Sequence, residues 1–256
     1  PELNGRRLMA TAAKDGTLLL WNAVDGEPQA SLKGHEGVIR DIRFSNNGAT
    51  LVGVDGPGQV HLWRTVDGAL VRTLDGLPAA AIVAAFDAAS DILAVGLESG
   101  EIVLFDLGLL EPVETLRGHQ GAVSDLDFHP TKRRLASSSF DGSVVLWELS
   151  RGRRASSPRM GWKGQPGGAL AVAYAPDGNT VAASAGDNKI TFWDTRRGKE
   201  KSSISTYARP EQLVYLPDGE RVISCGPGYA SVWAVKGGQE TQTIALPGAE
   251  VTAMSL

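Results

Sequence analysis

With 25 Lys and Arg against 29 Asp and Glu, this 256-residue chain has a formal charge of -4, so it lacks the global positive field that gathers nucleic acid or anionic membrane. Its one cysteine, Cys225, excludes an internal disulfide framework or a Cys-rich metal site and reads as a small buried strand residue; no apolar run approaches the ~18 residues of a membrane-spanning helix. The 31 glycines and 13 prolines suit an all-β chain of many short strands and tight turns, and the length predicts a single domain over residues 1–256. A soluble, cytoplasmic chain is expected, with the start at Pro1 leaving open a removed leader or an upstream domain.

In chain order the predicted elements repeat. RLMATAA (7–13) reads as a strand, Gly16 as a turn, TLLLWN (17–22) as a strand ending near Trp21, and Gly26 as a turn into the more polar PQASLKG (28–34). A strand ending at Phe44 then leads through Ser45-Asn46-Asn47-Gly48 to TLVGV (50–54), Gly58, QVHLWR (59–64) and Gly68. The third pass runs from Phe86 through ILAVG (92–96), Gly100 and EIVLFD (101–106) to PVETLRG (112–118). The fourth runs from Phe128 through RLASSS (134–139), Gly142 and SVVLWE (143–148) to Gly152. The fifth has Tyr174, Pro176-Asp177-Gly178, VAASA (181–185), Asn188, KITFWD (189–194) and Gly198. The sixth has Tyr215, Pro217-Asp218-Gly219, RVISC (221–225), Gly228, YASVWA (229–234) and Gly238.

The strand-ending aromatics Trp21, Trp63, Phe105, Trp147, Trp193 and Trp233 are 42, 42, 42, 46 and 40 residues apart, the period of propeller blades. Five positions before each stands Gly, or Asn188, residues that tolerate positive φ in a hairpin turn. Five positions after stands Gly, except Leu110, in the one unit that also replaces Trp with Phe. A lone four-stranded sheet cannot cover both its faces, so the units must stack on one another. The prediction is a β-propeller of six four-stranded antiparallel blades. Pro1 falls at the turn after a first strand and Leu256 ends a first strand, so the last strand would complete the first blade as its innermost member. The alternative is a piece of a seven-bladed or longer propeller.

Gly34-His35 and Gly118-His119 ahead of strands, and Trp193-Asp194 closing one, make the chain resemble the WD40 repeat family of propellers. The dipeptides are degenerate elsewhere, where Trp is followed by Asn22, Arg64, Glu148 or Ala234, and the family's usual seven blades are not matched. The resemblance implies a buried hydrogen-bond chain linking Asp141, His119, Ser137 and Trp147, which gives the indole and imidazole partners and locks the blade. It is incomplete elsewhere. Trp21 keeps Thr11 and Asp15 but meets Pro247, Trp63 keeps His35 but faces Gly53 and Pro57, and Trp193 keeps Asp187 beside Gln165 and Ala183. The Trp147 blade is expected to be the most rigid.

No convergent catalytic set is read from the sequence. His119, Asp141 and Ser137 have the composition of a triad but the positions of a structural network. His61 and His129 read as isolated, without metal-ligand spacing. Gly53–Gly58 lacks the Lys and Ser/Thr of a phosphate loop and leads into a strand. Asp125, Asp127 and His129 alternate along one strand, read as a solvated channel wall plus a turn residue rather than a metal site. No catalytic residue, metal or cofactor is assigned.

Binding is therefore expected on the loops. By the resemblance, the turns before the aromatic strands and before the first strands share the top face, where Lys14, Arg40, Glu98, Phe140, Glu211 and Tyr229 are the candidates, Phe140 as an apolar anchor. The opposite face collects Lys132, Arg133, Arg134, Arg151, Arg153, Arg154, Arg196, Arg197, Lys199 and Lys201, either a solvated surface or a patch for an acidic peptide, a phosphorylated partner or anionic lipid. The expected function is a non-catalytic scaffold docking proteins or peptides, with no nucleic acid. The alternatives are a regulatory or ligand-sensing domain of a larger signalling chain and, third, a propeller enzyme.

Overall fold

Short runs of alternating and fully apolar residues, cut by Gly- and Asp-rich turns, fold into six four-stranded antiparallel sheets arranged as a propeller. The structure is a computed structural model and describes residues 2–3, 6–13, 15–150 and 156–246. Blade 1 holds β1 (Glu2–Leu3), β2 (Arg6–Ala12), β3 (Leu18–Asn22) and β4 (Pro28–Ser31). Blade 2 holds β5 (Ile39–Phe44), β6 (Thr50–Asp55), β7 (Val60–Arg64) and β8 (Leu70–Leu74). Blade 3 holds β9 (Ala81–Phe86), β10 (Ile92–Leu97), β11 (Ile102–Asp106) and β12 (Glu111–Leu116). Blade 4 holds β13 (Val123–Phe128), β14 (Arg134–Ser139), β15 (Val144–Glu148) and β16 (Ser157–Trp162). Blade 5 holds β17 (Ala169–Tyr174), β18 (Thr180–Ala185), β19 (Lys189–Asp194) and β20 (Glu200–Ser205). Blade 6 holds β21 (Gln212–Tyr215), β22 (Arg221–Gly226), β23 (Tyr229–Ala234) and β24 (Glu240–Ala245).

The register explains the period. Trp63, Phe105, Trp147, Trp193 and Trp233 each pair across the sheet with Leu51, Leu93, Leu135, Val181 or Val222, all fully buried. At each aromatic the pairing with the outermost strand slips by a residue, a bulge that sharpens the blade's twist. The core lies between sheets. Leu18, Leu20 and Leu32 of blade 1 meet Leu51 and Trp63 of blade 2, and the same junction recurs through to blade 6, where Phe192 meets Trp233. Each such side chain contributes about 1.5–3 kcal/mol by leaving water. The innermost strands β5, β9, β13, β17 and β21 touch in succession.

The hairpin turns take the expected positive φ, 62° at Asn188 and 80–86° at the matching glycines. Leu110 also adopts φ 54°, a conformation that costs a residue with a Cβ about 1–2 kcal/mol. Pro1 and the strand expected to end at Leu256 lie outside the described residues. Within them the edge of β2 is held by β1, where Glu2 and Leu3 pair with Arg7 and Arg6. Met9, the partner of Trp21, is 44% exposed where its counterparts are buried.

Candidate functional site

Blade 4 carries the expected network with one member more. Trp147 Nε1 donates to Ser137 Oγ at 2.8 Å, and His119 Nε2 lies 2.6 Å from the same oxygen. His119 Nδ1 then reaches Ser143 Oγ at 2.7 Å, and Ser143 donates to Asp141 Oδ1 at 2.5 Å. Asp141 lies 3.7 Å from the imidazole, so the hydroxyl of Ser143 relays between them. The sequence reading missed Ser143; the signal was its place just after Gly142, where Thr17 donates its N–H to Asp15 in blade 1. Burial lowers the His119 pKa although Asp141 pulls it up, so the ring stays neutral. Ser137, Ser143, His119 and Trp147 are buried within the blade, and only Asp141 at the end of the relay is exposed.

The other indoles are satisfied differently. Trp21 donates to Thr11 Oγ1 at 2.8 Å and Trp233 to Ser224 Oγ at 2.9 Å, while Pro247 lies outside the described residues. Trp193 stacks on Trp162 at 4.9 Å. Trp63 donates to the Lys33 carbonyl at 2.8 Å; Gly53, in the place of Ser137, supplies no hydroxyl, and the ring packs so close that a β-carbon there would sit 2.8 Å from it. The reading of His61 as isolated is corrected: it is buried, with Nε2 2.9 Å from Asp55 Oδ2 and Nδ1 2.9 Å from Thr73 Oγ1. Asp55 also accepts the N–H groups of Glu36 and Gln59. His129 is likewise buried and engaged, its Nδ1 accepting from the N–H groups of Thr131 and Lys132 at 3.1 Å.

The channel wall is also corrected. The inner edge of a blade presents backbone N–H groups that no strand covers, and at two junctions carboxylates of the preceding blade reach across to them. Asp41 accepts from Ala84 N–H at 3.0 Å, Asp125 from Val172 N–H at 3.0 Å and Asp127 from Tyr174 N–H at 2.6 Å. Arg43 lies between, 3.7 Å from Asp41 and 3.3 Å from Asp125. Burial pushes Asp125 up to about 6 against the pull of Arg43, and pushes Asp127 up to about 7. A channel cavity of about 250 Å³ is lined by Arg43, Asp125, Asp127, Tyr174 and Tyr215. Asp125 and Asp127 do line the channel, but Asp125 is buried, Asp127 half-buried, and both are committed to amide donors as an inter-blade clamp rather than left to solvent.

The turns before the aromatic strands and before the first strands do share one face, stitched together. Glu98 N–H meets the Ala80 carbonyl, Phe140 N–H that of Ala122 and Gly186 N–H that of Gly168. Arg40 pairs with Glu98 at 3.3 Å across blades 2 and 3, and Glu211 with Arg209 at 3.8 Å. Phe140 is 53% exposed. Tyr229 is half-buried, its hydroxyl donating to the Ala208 carbonyl at 3.0 Å and burial pushing it up to about 12. Tyr207, missed in the sequence, is 85% exposed on the same face. Lys14 lies outside the described residues.

On the opposite face Arg151, Arg153 and Arg154 also lie outside them. Arg134 is half-buried and donates to Glu148 at 2.6 Å, and Lys201 donates to Thr180 Oγ1 at 2.8 Å. Lys132, Arg196, Arg197 and Lys199 are exposed, with Arg133 half-buried beside them. The described part of the basic patch is thus smaller than its sequence count.

The family model for the WD domain, G-beta repeat, matches residues 26–64, 110–148 and 157–194. The chain is similar to the periodic tryptophan protein 2 homolog of Dictyostelium discoideum, 29% identical over 151 residues, covering 57% of this chain and 16% of that protein. It is similar to striatin-4 of Mus musculus, 28% identical over 153 residues and covering 56% and 16%, and to WD repeat-containing protein 55 of Homo sapiens, 26% identical over 152 residues and covering 58% and 40%. The matched stretches thus span well under half of these relatives' lengths. Among solved structures, a chain from the crystal structure of the mitotic checkpoint complex superposes with a TM-score of 0.85 at 23% identity, covering 96% of this chain and 80% of that one, a likeness of fold.

Proposed function

Because the chain belongs to the WD40 repeat proteins and folds as a β-propeller, we propose that it is a non-catalytic platform on which partner proteins or peptides dock. The observation that carries this reading is the division of labour among its polar groups. The side-chain types that would do chemistry, His61, His119, Asp55, Asp125 and Asp127, are spent on hydrogen bonds within and between blades. The exposed aromatics Phe140 and Tyr207 stand instead on loops held rigid by backbone bonds, the arrangement of an interface anchor. The exposed cations Lys132, Arg196, Arg197 and Lys199 offer the other face to an acidic or phosphorylated segment.

The test is affinity capture with the purified chain and two variants, Phe140→Ala/Tyr207→Ala and a charge reversal of Lys132, Arg133, Arg196 and Arg197. Each variant should lose a distinct, reproducible set of partners with its melting temperature unchanged. Identical capture by all three chains would sink the docking reading of these faces.

A further inference from the structure

At three blade junctions the turn after the aromatic strand closes down on the outer strands of the blade before it. A β-carbon on Gly68 would come within 2.7 Å of Ala30 Cβ, one on Gly238 within 3.3 Å of Ile204, and one on Gly198 within 3.6 Å of the Met160 sulfur. Glycine at these positions lets loop and strand approach, and the junction is filled.

The junction between blades 2 and 3 differs. There the turn is Leu107-Gly108-Leu109-Leu110, and the position that is glycine elsewhere is Leu110, held at φ 54°. A cleft of about 300 Å³ lies open at this place. Its apolar wall is Leu62, Val71, Leu107 and Leu110, and its one ionisable lining residue is Asp91. Apolar exposure adjoins it: Val71 in its wall is 51% exposed, and Leu109, next to Leu110 in the turn, 65%. Backbone strain retained beside an open apolar cleft is the pattern of a functional site rather than of economical packing. Asp91, the adjoining Asp87 and Asp106, which accept the N–H groups of Asp91 and Gly108, and Glu111 opposite Asp106 outnumber the one exposed cation beside the cleft, Arg72 across from Leu62, while Arg64 is tied to Asp67 at 2.6 Å.

We infer that this cleft between blades 2 and 3 is a docking site for a peptide segment of a partner protein, one that inserts a leucine-sized apolar side chain against Val71 and Leu110 and sets a Lys or Arg beside Asp91. The inference rests on the docking reading above but assigns a different surface, one that neither the top-face aromatics nor the basic patch includes. Its volume accepts one or two branched side chains; Ser45 and Asn47 are spent on bonds within their own turn, and the half-buried Thr50 and Ser90 hydroxyls at its edge can bond a peptide backbone.

A phage-displayed library of random 12-residue peptides, panned on the purified chain, supplies the probe; enriched peptides are synthesised with a fluorophore and titrated by anisotropy. Enrichment of sequences with a Leu, Ile or Met flanked by Lys or Arg is expected. Their affinity should fall at least tenfold on Val71→Asp/Leu109→Asp, two exposed positions whose change leaves the fold intact, and several-fold on Asp91→Asn, but not on Phe140→Ala/Tyr207→Ala. Peptides that bind Val71→Asp/Leu109→Asp as well as the parent, or that are acidic, overturn the cleft. If they lose affinity only on Phe140→Ala/Tyr207→Ala, the cleft falls while the platform stands. Should no peptide be enriched, the cleft falls, and the platform is decided by the affinity capture above.

Discussion

Blades 2 and 4 share a register and bury the same Trp, yet they satisfy it by different means. In blade 4 the indole enters a relay of Ser137, His119, Ser143 and Asp141. In blade 2 Gly53 removes the hydroxyl, Trp63 turns to the Lys33 carbonyl, and a second buried pair, His61 with Asp55, occupies the turn. His35, the counterpart of His119, bonds instead to the Gly16 carbonyl of blade 1 at 2.7 Å. A buried indole N–H demands an acceptor, not a particular one, and the fold holds whichever acceptor the neighbouring strands supply.

The comparison can be broken most forcefully at Asp55. Asp55→Ala strands His61 and the N–H groups of Glu36 and Gln59 together, so a loss of about 3 kcal/mol in a denaturant titration is expected. Ser137→Ala leaves Trp147 Nε1 and His119 Nε2 unpaired in blade 4 and should cost about 2 kcal/mol. If Ser137→Ala proved the costlier by a wide margin, blade 2 would not have a network equal to that of blade 4. Amide exchange sharpens the point, since the relay predicts slowest exchange in β14 and β15.

Gly53→Ser gives blade 2 the residue of blade 4, and a gain would be expected if the hydroxyl alone mattered. Instead its β-carbon meets the Trp63 ring, and a loss of about 1–2 kcal/mol is expected from overpacking. A stabilised variant would show that the indole can swing back to the side-chain acceptor.

A smaller effect separates the clamp residues from both blades. Asp125 and Asp127 are raised to about 6 and about 7, so the folded state holds their protons more tightly than the unfolded chain does. Their contribution is complete below about pH 4 and declines as pH rises to about 7. Asp127→Asn removes its share of that slope, so the melting temperature of the variant relative to the parent should climb by a few degrees between pH 5 and 8. A difference that does not vary with pH would place the Asp127 proton elsewhere. Smallest of all, Leu110→Gly should shift stability by less than about 1 kcal/mol, because relief of the left-handed strain offsets lost packing against Leu107 and its neighbours. A larger loss by thermal denaturation would mean that Leu110 is there for the core.

The period and the turn glycines made the blades legible, since each unit repeats one local solution to twist and burial. Leu110 was legible too, as the exception in a row of glycines. What stayed hidden depends on which atoms meet across strands and blades. Asp55 lies in a glycine-rich stretch that drew attention only as a failed phosphate loop, and its partner His61 is brought to it by the β6–β7 hairpin. Asp125 and Asp127 alternate like a solvent-facing pair, but the stacking of β13 on β17 sets them under backbone donors of the next blade. Ser143 was concealed by its ordinariness as a turn residue.

The carboxylate clamps have a mechanical corollary. Asp41 fastens blade 2 to blade 3, Asp125 and Asp127 fasten blade 4 to blade 5, and Arg43 spans from blade 2 to Asp125. Four consecutive blades are thereby laced about the axis, while among the described residues no such carboxylate reaches blade 1 or blade 6, and blade 1 is met instead by His35 at the Gly16 carbonyl. Under tension along the chain, blades 2 to 5 should therefore rupture together as a single event rather than blade by blade.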